Sequence, residues 1–195
     1  MNVVIGITGA SGAVYGKRLV ETLLQTGHHC HLVVSEAGKA VVLHELESDC
    51  ASWPSTLEGG ARLTLWSHAD LFAPFCSGSN TPHGMAIVPC SMGTLGRIAS
   101  GTSDSLLVRA ADVCLKERLP LVLAVRETPL NLIHIENMGR VARAGAIVLP
   151  ASPGFYHRPV DIDGLVDHLA GKVLDSLRIP HTLFRRWGVS DSADS

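Results

Sequence analysis

Short apolar runs alternate with segments of helical periodicity along nearly the whole chain. Asn2–Thr8, with Val3, Val4, Ile5 and Ile7, and the aliphatic run Leu121–Val125 have the pattern of strands in a parallel sheet. His29–Val34, Met85–Val88 and Ala146–Leu149 predict further strands. Val14–Thr26 predicts a helix, with Tyr15, Leu19 and Leu23 on one face, Val20 and Leu24 beside them, and Gly27 where a C-terminal cap belongs. Gly38–Leu46, Asp104–Arg118 and Asn131–Ala144 predict helices as well. Gly164–Leu177 carries Leu165, Leu169, Val173 and Leu177 as one stripe, with Asp161 or Asp163 as its N-cap. Strand–helix alternation of this kind predicts an α/β fold built on a doubly wound parallel sheet. Residues 47–84 break the rhythm with Pro54, Gly59, Gly60, Pro74, Gly78 and Pro82, and hold one short strand near Arg62–Trp66. Long irregular segments in compact domains are often functional. The pattern gives a single domain over residues 1–188 and a polar tail over 189–195, with no internal repeat.

In such sheets ligands bind outside the carboxyl ends of the strands. Five segments occupy those places. Thr8-Gly9-Ala10-Ser11-Gly12 joins strand to helix through small residues, where the backbone can approach a phosphate at a helix N-terminus; a tight turn without ligand accounts for the same residues. Its glycines do not follow the GxGxxG spacing, so a dinucleotide site is not favoured over a mononucleotide one. Ser35–Gly38 follows the second strand. Pro89-Cys90-Ser91-Met92-Gly93-Thr94 leaves another strand with hydroxyls at Ser91 and Thr94, as an N-cap or as a second wall of one anion site. Arg126-Glu127-Thr128-Pro129 places a charged pair at a strand end, where Arg can grip phosphate or a carbonyl. Pro153-Gly154-Phe155-Tyr156-His157-Arg158-Pro159 has the composition of a lid over an anionic ligand, or of an ordinary surface turn. Lys116 and Arg118 close the Asp104–Arg118 helix, where its dipole alone would favour them.

Composition narrows the partners. The 195 residues carry 16 Lys+Arg against 18 Asp+Glu, a formal net charge of -2, which gives no footprint for nucleic acid. Hydrophobic residues make up 46% and charged ones 17%. No stretch approaches the roughly 20 apolar residues of a membrane span, so this apolar character predicts a homo-oligomer that buries surface between copies. The five cysteines are odd in number and form no CxxC pair, and Met1–Thr8 lacks the basic region of a signal peptide; both fit reduced thiols in the cytoplasm. The ten histidines include the cluster His28, His29 and His31, but strand alternation separates them and no metal-ligand spacing is present.

Read together and in order, ITGASGAVYG, VVSEAGKAV, the SGS of Ser77–Ser79, PCSMGTL, RAADVCLKERLPLVLAVRETPL, LPASPGFYHRP and RRWG resemble the UbiX-type flavin prenyltransferases over roughly Asn2 to Gly188. The resemblance implies a three-layer, Rossmann-like (flavodoxin-like) domain, bound FMN, and no metal. It implies transfer of dimethylallyl from dimethylallyl phosphate to N5 and C6 of reduced FMN, a UbiD-type decarboxylase as recipient of the prenylated FMN, and a dodecamer. Gly9, Ala10, Ser11, Ser35, Ser91, Met92, Gly93, Thr94 and Arg126 match the FMN-binding positions. Tyr156 and Lys172 match the substrate phosphate ligands, with Arg109, Lys116 and Arg186 as further cations and Trp187 as an aromatic near the prenyl group. Glu45 matches the acid at the reacting centre, with Ser11 and Lys116 as catalytic companions and Glu127 as a supporting acid. Lys172 departs from the Arg of many relatives and lacks its bidentate fork. The rival readings are a flavin-dependent cysteine-type decarboxylase and a non-catalytic FMN carrier or accessory subunit.

Overall fold

In the computed structural model, which describes residues 1–187, the apolar runs become six strands. These are β1 (Asn2–Ile7), β2 (His29–Val34), β3 (Leu63–Trp66), β4 (Gly84–Cys90), β5 (Leu121–Val125) and β6 (Ile147–Pro150). They form one sheet in the order β3-β2-β1-β4-β5-β6, and every neighbouring pair is parallel. The helices are α1 (Ala13–Gln25), α2 (Glu36–Leu46), the single turn α3 (Trp53–Thr56), α4 (Met92–Ala99), α5 (Leu106–Lys116), α6 (Leu132–Ala144) and α7 (Ile162–Ser176). Without the short edge strand β3 the order is that of a flavodoxin-like sheet, so the expected doubly wound α/β architecture is present. The polar tail expected at 189–195 lies outside the described residues.

Period-two alternation divides the strands between two cores. Val3, Ile5 and Ile7 of β1 pack with Leu19 and Leu23 of α1, Val173 of α7 and Leu177 just past its end. Val4 joins Met85, Ile87, Leu107 and Leu123 on the opposite face, with α4 and α5. α1 lies close on the sheet because Gly16 has no side chain: a Cβ there would stand 2.3 Å from the Val88 carbonyl oxygen. Beside it runs α7, tied to α1 by Arg18 Nε to Asp167 Oδ1 at 2.5 Å. The far end of α7 reaches the amino edge of the sheet, where His83 Nε2 is 3.0 Å from the Leu177 carbonyl.

Several boundaries differ from the expectation because caps set them. α2 begins at Glu36 and not Gly38, since Ser35 is its N-cap and accepts the Gly38 N–H at 3.0 Å. α5 begins after Ser105 and ends before Arg118, which has φ 57°. Asp161, not Asp163, caps α7, accepting the Gly164 N–H at 2.8 Å. The irregular stretch holds β3 as expected, together with α3, whose Trp53 is buried.

The chain switches direction across the sheet between β1 and β4, which opens a crevice at their carboxyl ends. Thr8, buried just past β1, fixes the two sides of that crevice. Its hydroxyl donates to the Pro89 carbonyl at 2.7 Å and accepts the Ser91 N–H at 2.8 Å, while its own N–H donates to Pro89 at 3.2 Å. Thr8→Val keeps the shape and removes the hydroxyl, leaving a buried N–H unpaired. Urea unfolding should show a loss of about 1–3 kcal/mol, and Thr8→Ser should recover most of it.

Candidate functional site

The crevice is lined by the loops after β1, β2, β4 and β5. Gly9 is glycine for packing: a Cβ would lie 2.6 Å from the Ala37 Cβ at the start of α2. Ala10 is buried, whereas Ser11 is exposed. Ser35 N–H donates to the Ile7 carbonyl at 3.0 Å, which sets the β2 loop directly beside the β1 loop.

Glu45, in the last turn of α2, reaches across to the N-terminus of α1. Its carboxylate accepts the Gly12 N–H at 2.9 Å and the Ala13 N–H at 2.8 Å. A negative charge at that helix end is favoured by the helix dipole. Desolvation opposes the charge, but the Ser11 hydroxyl, the two N–H groups and the Arg126 guanidinium outweigh it and hold the Glu45 carboxyl below the usual range. The N-terminus of α1, the natural place for a ligand phosphate, is thus already occupied by an internal anion. Gly9–Ser11 and Ser35 remain beside it for a ligand.

The opposite wall is the start of α4. Ser91 is its N-cap, accepting the Thr94 N–H at 3.3 Å and donating its hydroxyl to Thr94 Oγ1 at 3.2 Å. Met92 and Thr94 are buried, so their side chains belong to the second core and its cap. Gly93 is different: a Cβ there would meet nothing within 4 Å. The N–H groups of Met92 and Gly93 have no partner among the described residues. This wall can therefore receive the edge or face of a flat, hydrogen-bonding ring such as a flavin. Arg126, exposed beyond β5, bears electrostatically on both Glu45 and Tyr15, where burial pushes the Tyr15 phenol up and the guanidinium pulls it down. The residues present fit FMN. Glu127 follows Arg126 at the end of β5, and its carboxylate accepts the Thr128 N–H at 3.1 Å.

The other matched residues form two separate groups. Arg109 and Lys116 sit one heptad apart on α5, on the face that rests on residues 76–79. Arg109 Nε donates to the Cys76 carbonyl at 3.2 Å and Nη1 to Asp112 at 2.6 Å. Lys116 pairs with Glu117 beside Gly78, at the amino edge of the sheet and away from the crevice. The second group gathers on α7. Tyr156 and Trp187 meet edge to face at 6.0 Å between ring centroids. Arg186 Nη2 lies 2.8 Å and Lys172 Nζ 3.6 Å from the Asp175 carboxylate, with His181 Nε2 at 3.2 Å. Burial opposes ionisation of Asp175, but Arg186 and His181 hold its carboxyl below the ordinary range. Two cations against one carboxylate leave this end positive. Lys172 stands ten residues along α7 from Ile162, about 15 Å from the crevice end of the helix.

Thr8, His168 and Asp175 were not singled out from the sequence. Thr8 had a signal, a polar residue ending a buried aliphatic strand. His168 and Asp175 flank an apolar stripe, and nothing in their spacing distinguishes them from solvent-facing positions.

The flavoprotein family model matches residues 1–186. A flavin prenyltransferase UbiX of Alkalihalophilus pseudofirmus is 49% identical over 189 residues, covering 94% of each chain. The crystal structure of AnUbiX in complex with FMN and dimethylallyl pyrophosphate superposes with a TM-score of 0.89 at 38% identity, covering 97% of this chain and 98% of that one. A dodecameric FMN-dependent UbiX-like decarboxylase from Escherichia coli O157:H7 gives the same TM-score and identity over 97% and 100% of the two chains. With the family model and these relatives matching over almost the full length, the chain belongs to the flavoprotein family and, within it, to the UbiX-type flavin prenyltransferases.

Proposed function

We propose that the protein joins the dimethylallyl group of dimethylallyl phosphate to N5 and C6 of reduced FMN without a metal, and that the prenylated FMN passes to a UbiD-type decarboxylase. The observation that carries the reading is the crevice itself, whose loops carry a fixed carboxylate, an Arg126 guanidinium close enough to lower its pKa, and open backbone at Gly93. Reduced FMN supplies the two nucleophilic positions. The bond from the allylic carbon to the phosphate oxygen would break as N5 is alkylated and gives up its proton; closure would then add one proton to the allylic double bond as C6 bonds to its tertiary carbon and loses its own, so that one proton leaves overall.

The chain's own groups serve the charges of this reaction. Lys116, Lys172, Arg109 and the Tyr156 hydroxyl receive the departing phosphate by preorganised charge and hydrogen bonding, and Arg186 adds to the positive end of α7. The π-face of Trp187 stabilises positive charge on the allylic fragment. Glu45 is ionised at neutral pH and able to accept the released proton, with Ser11 as its hydrogen-bonding companion. Its depressed pKa makes it a weak base, so the phosphate dianion is a natural final acceptor. Glu127 is at most a supporting acid, given its place in the turn.

The three groups meet only when copies assemble. A single chain holds the crevice, the α5 cations and the α7 cations on different sides. It also exposes Leu130, Leu132, Ile133, Ile135 and Ile147 around α6 and β6, an apolar surface of the kind buried between subunits. We therefore assign a homo-oligomer, as in the dodecameric relative, with sites shared between subunits. A cytoplasmic setting agrees with five free cysteines, of which burial pushes Cys30, Cys90 and Cys114 up to about 12.

Anaerobic incubation of the FMN-loaded protein with a reductant and dimethylallyl phosphate should give a released flavin heavier by one five-carbon unit, with one phosphate per turnover. An unchanged flavin on a protein that retains FMN would instead identify a carrier. Glu45→Gln keeps a carbonyl for the α1 N–H groups, so FMN should still bind while ring closure slows by roughly 10²–10⁴-fold. Arg126→Ala should weaken FMN binding itself, measured by fluorescence titration. The lowered Glu45 pKa adds stability that is full above the ordinary carboxylate range and lost as pH falls through the folded value. Glu45→Gln should accordingly flatten the acid limb of the thermal stability profile.

A further inference from the structure

His168 projects from α7 next to Tyr156 and is buried, 6% exposed. Its two ring nitrogens have different partners. Nδ1 lies 3.2 Å from the Gly154 backbone N–H, which can only donate. Nδ1 must therefore carry the lone pair, and the ring proton sits on Nε2. Nε2 lies 2.9 Å from the Tyr156 hydroxyl oxygen. The imidazole thus donates to the phenol oxygen and cannot accept from it. The phenol proton is left to point elsewhere, toward an acceptor outside the pair. Tyr156 is half exposed, so that acceptor can be a ligand.

The surroundings keep this arrangement neutral. His157 stacks on His168 with ring centroids 4.7 Å apart and planes 4° from parallel. Its own Nε2 lies 3.2 Å from the Gly164 carbonyl, which can only accept, so Nε2 bears the proton there too. Phe184 covers His168 at 5.0 Å between centroids, and Lys172 stands one turn further along α7. Burial, His157 and Lys172 all push the His168 imidazole pKa down. A protonated His168 would lose the acceptor for Gly154 and put a second cation against Lys172.

We propose that His168 is a positioning residue that forces the Tyr156 hydroxyl to act as a hydrogen-bond donor toward the phosphate of the allylic substrate. This rests on the prenyltransferase reading of the site and names a residue that the reading does not contain. Without the imidazole the phenol can rotate, and its proton is no longer directed at the anion.

The test is a double-mutant cycle on the FMN-loaded oligomer, with KM and kcat for dimethylallyl phosphate and calorimetric binding of inorganic phosphate as readouts. Tyr156→Phe removes the donor. His168→Phe keeps the ring packing and removes both hydrogen bonds. Each single variant should raise KM and weaken phosphate binding by roughly 10-fold, a loss typical of one hydrogen bond to a charged group. The double variant should be no worse than Tyr156→Phe alone. His168→Gln, which restores a donor near the Nε2 position, should recover part of the loss and guards against a folding defect in His168→Phe. Additive losses, or a His168→Phe variant with wild-type phosphate binding, would overturn the proposal while leaving prenyl transfer intact. A Tyr156→Phe variant with unchanged phosphate binding would overturn it through the role of Tyr156. Failure of the wild-type protein to prenylate flavin would instead bring down the reading beneath it.

Discussion

The buried hydroxyl of Thr8 is the point on which the site depends. It bridges the loop after β1 and the loop after β4 at the place where the sheet changes direction. A doubly wound sheet always leaves a gap there. What makes this gap a defined crevice is that both of its walls hang from one side chain, with a donated and an accepted hydrogen bond. Ser35 then adds the β2 loop through the Ile7 carbonyl, and the Gly9–Ala37 contact fixes how near α2 can come. From that position Glu45 reaches the N-terminus of α1. Scaffold and chemistry are thus linked in a short chain: strand end, loop, helix, carboxylate.

Charge then decides what the crevice can hold. In many sheets of this type a ligand phosphate takes the N-terminus of the first helix. Here Glu45 takes it, and the N–H groups that it caps hold the carboxylate in its ionised form. A fixed anion beside an Arg126 cation suits a reaction in which positive charge and a proton appear next to the flavin and negative charge leaves. The cations that would receive the leaving phosphate are kept apart from this anion in the single chain. Lys116 is paired with Glu117, and Lys172 and Arg186 share Asp175. In the proposed reading this separation keeps the cations from neutralising Glu45, and assembly of copies brings them to the crevice.

Much of this was legible in the sequence, for reasons that can be named. β1 and β5 are aliphatic on both faces, so their runs were unmistakable, and Leu121–Val125 is matched residue for residue. Gly27, with φ 81°, ended α1 where a glycine was expected to do so. Helix starts were less legible, because Ser35 and Asp161 act through side-chain caps that shift a boundary by a residue or two. The short α3 has no periodicity to detect. Among site residues, the loop positions followed from the rule that ligands bind at strand ends. The cap formed by Glu45 did not, since it joins residues 33 positions apart through tertiary packing of α2 on α1. Nor did the orientation of Tyr156, which depends on the tautomer of His168 and hence on one backbone N–H at Gly154.

The central claim is that the crevice of one chain works with cations of another. Arg126→Ala damages the crevice and Lys116→Ala damages α5, so each homo-oligomer should be nearly inactive. Co-assembled from equal amounts of the two chains, with hybrid oligomers verified by native mass spectrometry, the mixture should regain about a quarter of wild-type prenyl transfer, because random pairing makes that share of shared sites intact. Hybrid oligomers that regain no activity would contradict the account and return every catalytic group to a single chain.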